Sequence, residues 1–130
     1  MEEKMEKKPT EAELEVLQVL WENGSSSVRF VNETLSKNRE VVYTTTLKIM
    51  QNMTEKGFLK RDASKRTHLY EPAISEAMVQ EKFFDRFLDK VFGGSPLKLV
   101  LHTLGHEKTK SDDLEEIKKL ISKLEKNTKK

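Results

Sequence analysis

The chain has 130 residues, of which 35% are charged and 35% hydrophobic, with no cysteine and a formal net charge of +2. That length can build one domain with a modest core or two small lobes, and the missing cysteines exclude disulfides, thiolate nucleophiles and cysteine-ligated zinc or copper. No apolar run approaches the ~18 residues of a membrane span, and the opening MEEKMEKKPT lacks the apolar centre of a secretory signal, so a soluble cytoplasmic protein with no membrane partner is expected.

Residues 1–9 read as a flexible N-terminus. In PTEAELEVLQVLWENG, Thr10 can cap a helix and Glu13 can reach back to it, a capping box. Leu14, Leu17, Leu20 and Trp21 share one face, and Asn23-Gly24 stops the helix. A short second helix follows in SSSVRFVNETLSKN, with Ser27 as cap and Val28, Val31 and Leu35 at helical spacing. The third, VVYTTTLKIMQNMTEKGFLKRD, is helical from about Tyr43 to Lys56. Its buried stripe is Leu47, Met50 and Met53, and Gly57 sits where a left-handed C-cap belongs.

FLKR and THLYEP, separated by polar DASK, then read as a hairpin, with Pro72 closing the unit. Three short helices followed by a two-stranded wing give a mainly α chain, a winged helix-turn-helix over residues 10–73. Residues 74–126 read as a helical dimerisation lobe. A long helix from Ser75 to Phe92 is broken by Gly93-Gly94, Ser95-Pro96 starts LKLVLHTL, and a last helix after Ser111 places Leu114, Ile117, Ile121 and Leu124 on a heptad-like seam. So much one-sided apolar surface in so few residues calls for a second copy, with Phe84, Leu88, Val91, Leu99, Leu114, Ile117 and Ile121 as the dimer contacts. Residues 127–130 read as a basic tail.

Charge singles out the third helix and the wing. Residues 41–72 hold six bases against three acids, whereas residues 1–40 hold six bases against nine acids. A helix that enters the DNA major groove needs short polar side chains at its start and longer donors a turn later. Thr44, Thr45 and Thr46 meet the first need. Thr45, Lys48 and Asn52 share a face with Gln51 beside it; Asn and Gln read adenine bidentately, and a threonine methyl can touch the thymine methyl. Arg61, Lys65 and Arg66 of the wing suit phosphate contacts.

Other constellations are weaker. His102 and His106 stand four apart beside Glu107, but Gly105 interrupts the helix and no third ligand is near, so no metal site is expected. No nucleophile elbow, phosphate loop or His-Glu-x-x-His pattern is present, so no enzymatic activity, catalytic residue or cofactor is expected. Two alternatives are a protein-interaction module that uses the C-terminal helices without touching DNA, and a repressor with a small-molecule effector among Phe83, Phe84, Phe87 and Phe92.

PTEAELEVLQVLWENG, VVYTTTLKIMQNMTEKGFLKR and HLYEP, in that order, resemble the penicillinase-repressor (BlaI/MecI type) family of bacterial transcriptional repressors, and the likeness continues through LKLVLHTL and the last helix. The resemblance implies a homodimer that occupies a palindromic operator on double-stranded DNA, with an upstream sensor or protease as a further partner. By position, Thr44, Thr45, Lys48 and Asn52 would lie on the recognition helix, with Arg61 and Arg66 near the backbone. The sequence departs from the family twice. It lacks the cysteine pairs of the copper-responsive branch, and His102-Thr103 stands where the β-lactam-responsive branch is cleaved at an Asn-Phe bond.

Overall fold

A computed structural model describes residues 8–128. Helices α1 (Glu11–Asn23), α2 (Val28–Leu35) and α3 (Tyr43–Lys56) precede strands β1 (Leu59–Asp62) and β2 (Leu69–Pro72), and helices α4 (Glu76–Phe92), α5 (Pro96–Leu104) and α6 (Ser111–Thr128) follow. The chain divides into two compact units, one running to Lys82 and the other beginning at Phe83, so the start of α4 belongs to the first unit. Of the expected N-terminal segment, residues 1–7 lie outside the described residues, as do residues 129–130 of the expected tail; α6 itself continues to Thr128.

Each helix boundary has a local cause. Thr10 accepts from the Glu13 N–H (3.2 Å) while Glu13 Oε1 accepts from the Thr10 N–H (2.9 Å), the capping box expected from the sequence. Ser27 caps α2 by accepting from the Phe30 N–H. The third helix ends at Gly57, whose φ of 88° is a left-handed conformation that a side chain would strain, and its N–H returns to the Met53 and Thr54 carbonyls. Ser95 caps α5, with proline at the first helical position.

The first unit closes around the side of α1 that carries Val16, Leu17, Val19 and Leu20, against Val28 and Val31 of α2, Met50 and Met53 of α3, and Phe58, Leu59, Tyr70, Ile74 and Val79. Leu14 and Trp21 lie half-buried at the margins of the face that the sequence centred on Leu14, Leu17, Leu20 and Trp21. The shift has a simple reason: α1 touches α2, α3 and β2 together, so it is covered over a broader arc than one stripe. The Trp21 indole N–H still reaches the Ile74 carbonyl (3.1 Å), pinning the chain that leaves the wing.

β1 and β2 pair antiparallel with Leu59 opposite Pro72 and Asp62 opposite Leu69. Pro72 ends a strand that belongs to a two-stranded sheet, where a missing N–H costs least. Ser26 adds a one-residue bridge on the far edge of β2, exchanging two backbone hydrogen bonds with Tyr70 (2.9 and 2.8 Å). This ties the turn between α1 and α2 to the wing. Glu13 makes a second long-range tie, its buried carboxylate accepting from Lys56 Nζ at 2.6 Å, so the start of α1 holds the end of α3.

In the second unit Phe87, Phe92 and His102 form a run of ring contacts with centroids 5.6 and 5.9 Å apart. Neither α5 nor α6 has a buried residue. Among the described residues no helix is long and apolar enough to cross a membrane.

Candidate nucleic-acid interface

The N-terminus of α3 is set by what surrounds it rather than by a side-chain cap. Val42 occupies the capping position, its carbonyl accepting from the Thr45 and Thr46 N–H groups (3.0 and 3.2 Å), and no side chain caps the helix. Thr44, Thr45, Lys48, Gln51 and Asn52 are all exposed. They form a polar face opposite Met50 and Met53, which are wholly buried, and the first acid on that side is the exposed Glu55 in the last turn.

Thr46 does not join that face. Its side chain is 0% exposed, and its Oγ1 accepts from Asn32 Nδ2 at 2.8 Å, so it belongs to the core and cannot touch a duplex. Counting back from Met50, three residues reach Leu47, which is only half-buried, and four reach Thr46, which takes the core position. The same Asn32 amide donates to the Val41 carbonyl (2.9 Å), which also accepts from the Ser36 hydroxyl (3.2 Å). One asparagine of α2 thus fixes both the loop into α3 and its first turn.

This tie predicts a measurable cost. Asn32→Ala is expected to destabilise the protein by about 2 to 3 kcal/mol, since it leaves the buried Thr46 hydroxyl and part of the Val41 carbonyl without a donor; chemical denaturation checks it. Thr46→Val, which keeps the shape, should cost less.

The wing presents Arg61 on β1, with Lys65 and Arg66 in the loop that joins the strands, all exposed. Asp62 Oδ1 accepts from the Ser64 N–H (3.0 Å), shaping the start of that loop. The Ser64 backbone hydrogen bond, then the Ser64 hydroxyl, hold the Asp62 carboxyl below its ordinary pKa, with a smaller contribution from Lys65. Arg66, Thr67 and His68 line one cleft with Tyr43 and Leu47 of α3. The structure therefore brings the wing loop beside the first turns of α3.

Among the described residues, two cations of the unit are tied to acids, and those of α3's polar face and the wing are not. Arg39 is held by Glu15 in a two-pronged pair (2.6 and 3.3 Å), and Lys56 by Glu13. Among the described residues Lys48, Arg61 and Arg66 form no salt bridge. An unpaired Arg66 beside the first turns of α3 is a feature that suits a polyanion.

The residues singled out as dimer contacts fall into two groups. Phe84, Val91, Leu114 and Ile121 are exposed, and Leu99 and Ile117 are half-buried. Leu88 is only 8% exposed and so has little surface to offer a partner. Leu97, Leu101, Leu120 and Leu124 are exposed as well, and the periodicity of α5 and α6 contained that signal. His102 and His106 have ring centroids 6.1 Å apart. The His106 Nδ1 accepts from the Lys108 N–H (3.1 Å), and no group of three or more metal-ligating side chains occurs among the described residues.

Comparison with known proteins agrees with this architecture. The family model described as penicillinase repressor matches residues 9–123. A penicillinase repressor of Staphylococcus aureus is 26% identical over 115 residues, covering 88% of this chain and 91% of that protein. Another, from Bacillus licheniformis, is 28% identical over 121 residues, covering 93% and 94%. Among solved structures, a transcriptional regulator from Thermotoga maritima superposes with a TM-score of 0.53 at 23% identity, covering 93% of this chain and 80% of the other. At that identity the likeness speaks for the fold alone, a winged helix.

Proposed function

This chain belongs to the penicillinase repressor family, and on that premise we propose that it is a transcriptional repressor, not an enzyme, that binds a palindromic operator on double-stranded DNA as a homodimer in the cytoplasm. The observation that carries the reading is the exposed polar face of α3, Thr44, Thr45, Lys48, Gln51 and Asn52, with no acid before Glu55, beside a wing loop whose Arg66 has no salt bridge among the described residues. Residues 10–73 serve as the DNA-binding domain and residues 74–126 as the dimerisation domain.

In this reading α3 enters the major groove, where Thr45, Gln51 and Asn52 meet base edges. Lys48, Arg61, Lys65 and Arg66 meet phosphates, which fixes orientation without reading sequence. Thr44 lies close enough to the helix N-terminus to share a phosphate with its free N–H groups. Thr46 is left out because it is buried. Two copies on one face of the duplex place their half-sites a whole number of turns apart, about 10 base pairs each.

Dimerisation is supported by α5 and α6, which together bury no residue in the isolated chain. Helices this short gain most of their stability from tertiary packing, so a surface that covers them is part of the folded state. A second copy supplies it with matching chemistry. A sensor or protease upstream is the partner class through which the family resemblance relieves repression. The His102–Thr103 bond lies within α5 and would have to unwind to enter a protease.

The experiment compares two substitutions. Asn52→Ala should cost about 1 to 3 kcal/mol on the operator and little on random duplex. Arg66→Ala should weaken binding to both alike and flatten the salt dependence by about one unit of log–log slope. Equal losses on operator and random DNA from Asn52→Ala would remove Asn52 from base reading.

A further inference from the structure

Resting on the DNA-binding reading, we infer that the cleft between the start of α2, the first turn of α3 and the wing loop is a clamp for one phosphate of the DNA backbone, and that Arg29 and Arg66 close it from opposite sides. The cleft has a volume of about 430 Å³, and Ser27, Arg29, Tyr43, Arg66, Thr67 and His68 contribute to its walls. Arg29 was not among the contact residues expected from the sequence, where it stands as a lone base between serines and an apolar run.

Two observations point to an anion. No carboxylate lines the cleft, although acids are nearly as frequent as bases in the chain, 22 against 24. Neither Arg29 nor Arg66 forms a salt bridge among the described residues, although both line this one cleft. Two guanidinium groups are thus kept without counter-charge around one depression, which disfavours the empty state and favours an anionic occupant.

The remaining wall chemistry suits a phosphodiester. Ser27, Tyr43 and Thr67 carry hydroxyls and His68 a ring N–H, all able to donate to phosphate oxygens. The Ser27 Oγ already accepts from the Phe30 N–H (3.1 Å), which leaves its own O–H free to donate. Ser27 also marks the N-terminal end of α2, whose dipole adds to the attraction. A free inorganic anion would satisfy the same donors, but the cleft lies between α3 and the wing loop, where a duplex seated on α3 passes its backbone.

The Ser26–Tyr70 bridge gives the clamp its rigidity. It joins the residue before Ser27 to β2, two residues beyond His68, through hydrogen bonds of 2.9 and 2.8 Å. Both sides of the cleft therefore ride on one backbone connection, and the spacing of Arg29 and Arg66 does not depend on the wing loop alone.

The test scans the selected operator with single methylphosphonate substitutions, each removing one phosphate charge, and measures binding by wild type, Arg29→Ala and Arg66→Ala. Both side chains are exposed, and circular dichroism checks that the variants fold as wild type does. Wild type should lose about tenfold in affinity at one phosphate per half-site, the scale of a lost charge-assisted contact. Both variants should bind the duplex substituted at that same phosphate as well as they bind the plain duplex. Loss of sensitivity at two different phosphates, or an Arg29→Ala variant that keeps the wild-type profile, would overturn the clamp while leaving DNA binding intact. A wild type that binds duplex only at the level of an unrelated protein, at every salt concentration, would instead sink the repressor reading and the clamp with it. If inorganic phosphate at millimolar concentration protects the wild-type protein thermally but no methylphosphonate position matters, the cleft holds a free anion and the backbone assignment is wrong.

Discussion

An Ile121→Glu, Leu124→Glu double variant is expected to sediment as a monomer at micromolar concentration and to bind the operator at least a hundredfold more weakly than wild type. Ile121 and Leu124 are 49% and 53% exposed on α6, on the same side as Leu114 and Ile117. Covering them with a second copy removes apolar area from water, at about 25 cal/mol per Å². Two carboxylates placed in that seam face their symmetry mates, so burial costs several kcal/mol for each charge without a partner. The affinity loss follows from geometry. In a dimer the second half-site is met at an effective concentration set by the tether, and linkage of this kind multiplies affinity by 10² to 10⁴. Because the substitutions lie in the second unit, the first unit should keep its fold, and binding of the monomer to a single half-site provides the control. A variant that remains dimeric would move the interface away from α6.

The second large effect is expected in the first unit. Phe58→Ala should destabilise it by about 3 to 5 kcal/mol, the range for emptying an aromatic site in a packed core, and lower the melting temperature by roughly 15 °C or more in a domain of this size. Phe58 is 1% exposed. Its N–H donates to the Met53 carbonyl (2.9 Å) and its carbonyl accepts from the Ala73 N–H (2.7 Å), while Lys56 Nζ lies 5.9 Å from its ring centroid. One residue therefore joins the end of the recognition helix to both strands of the wing. Since domains of this kind are stable by only about 5 to 15 kcal/mol, the variant should also bind DNA poorly near body temperature. Thermal denaturation followed by circular dichroism measures the effect, and a shift of only a few degrees would mean that neighbouring side chains close the cavity.

Local chemistry made much of this fold readable. The Thr10–Glu13 box, the Gly57 cap and the Ser95-Pro96 start each depend on residues within one helical turn, and all three form as the sequence suggests. The end of α3 at Lys56 was legible for the same reason, whereas its start at Tyr43 has no side-chain cap and is held by Asn32 of α2. What escaped was set by residues far apart. Thr46 looks like its two exposed neighbours, and only its pairing with Asn32, fourteen positions earlier, makes it a core residue. The Ser26–Tyr70 bridge has no periodic signal, because a strand of one residue cannot alternate. Arg29 becomes a candidate contact only when the wing folds beside it. Leu88 reads as a seam residue by its spacing, yet it is only 8% exposed.

These differences share a physical origin. Pattern reading recognises which face of a helix is apolar, but a buried hydroxyl with a good partner is as well satisfied as a methyl group, and the pattern cannot distinguish the two. In this chain α3 is held from inside by a polar contact, Asn32 to Thr46, and from its far end by an ion pair, Glu13 to Lys56. Neither anchor uses the face that α3 turns to solvent.

The central claim is tested most directly by selecting binding sites from random duplex DNA with the purified full-length protein, then titrating the selected site over a range of salt. The account predicts a two-fold symmetric site and a steep log–log slope, corresponding to about six to ten phosphates neutralised per dimer. Failure to enrich any sequence, together with weak binding that salt does not alter, would contradict it and turn attention to the exposed helices of the second unit as a surface for a protein partner.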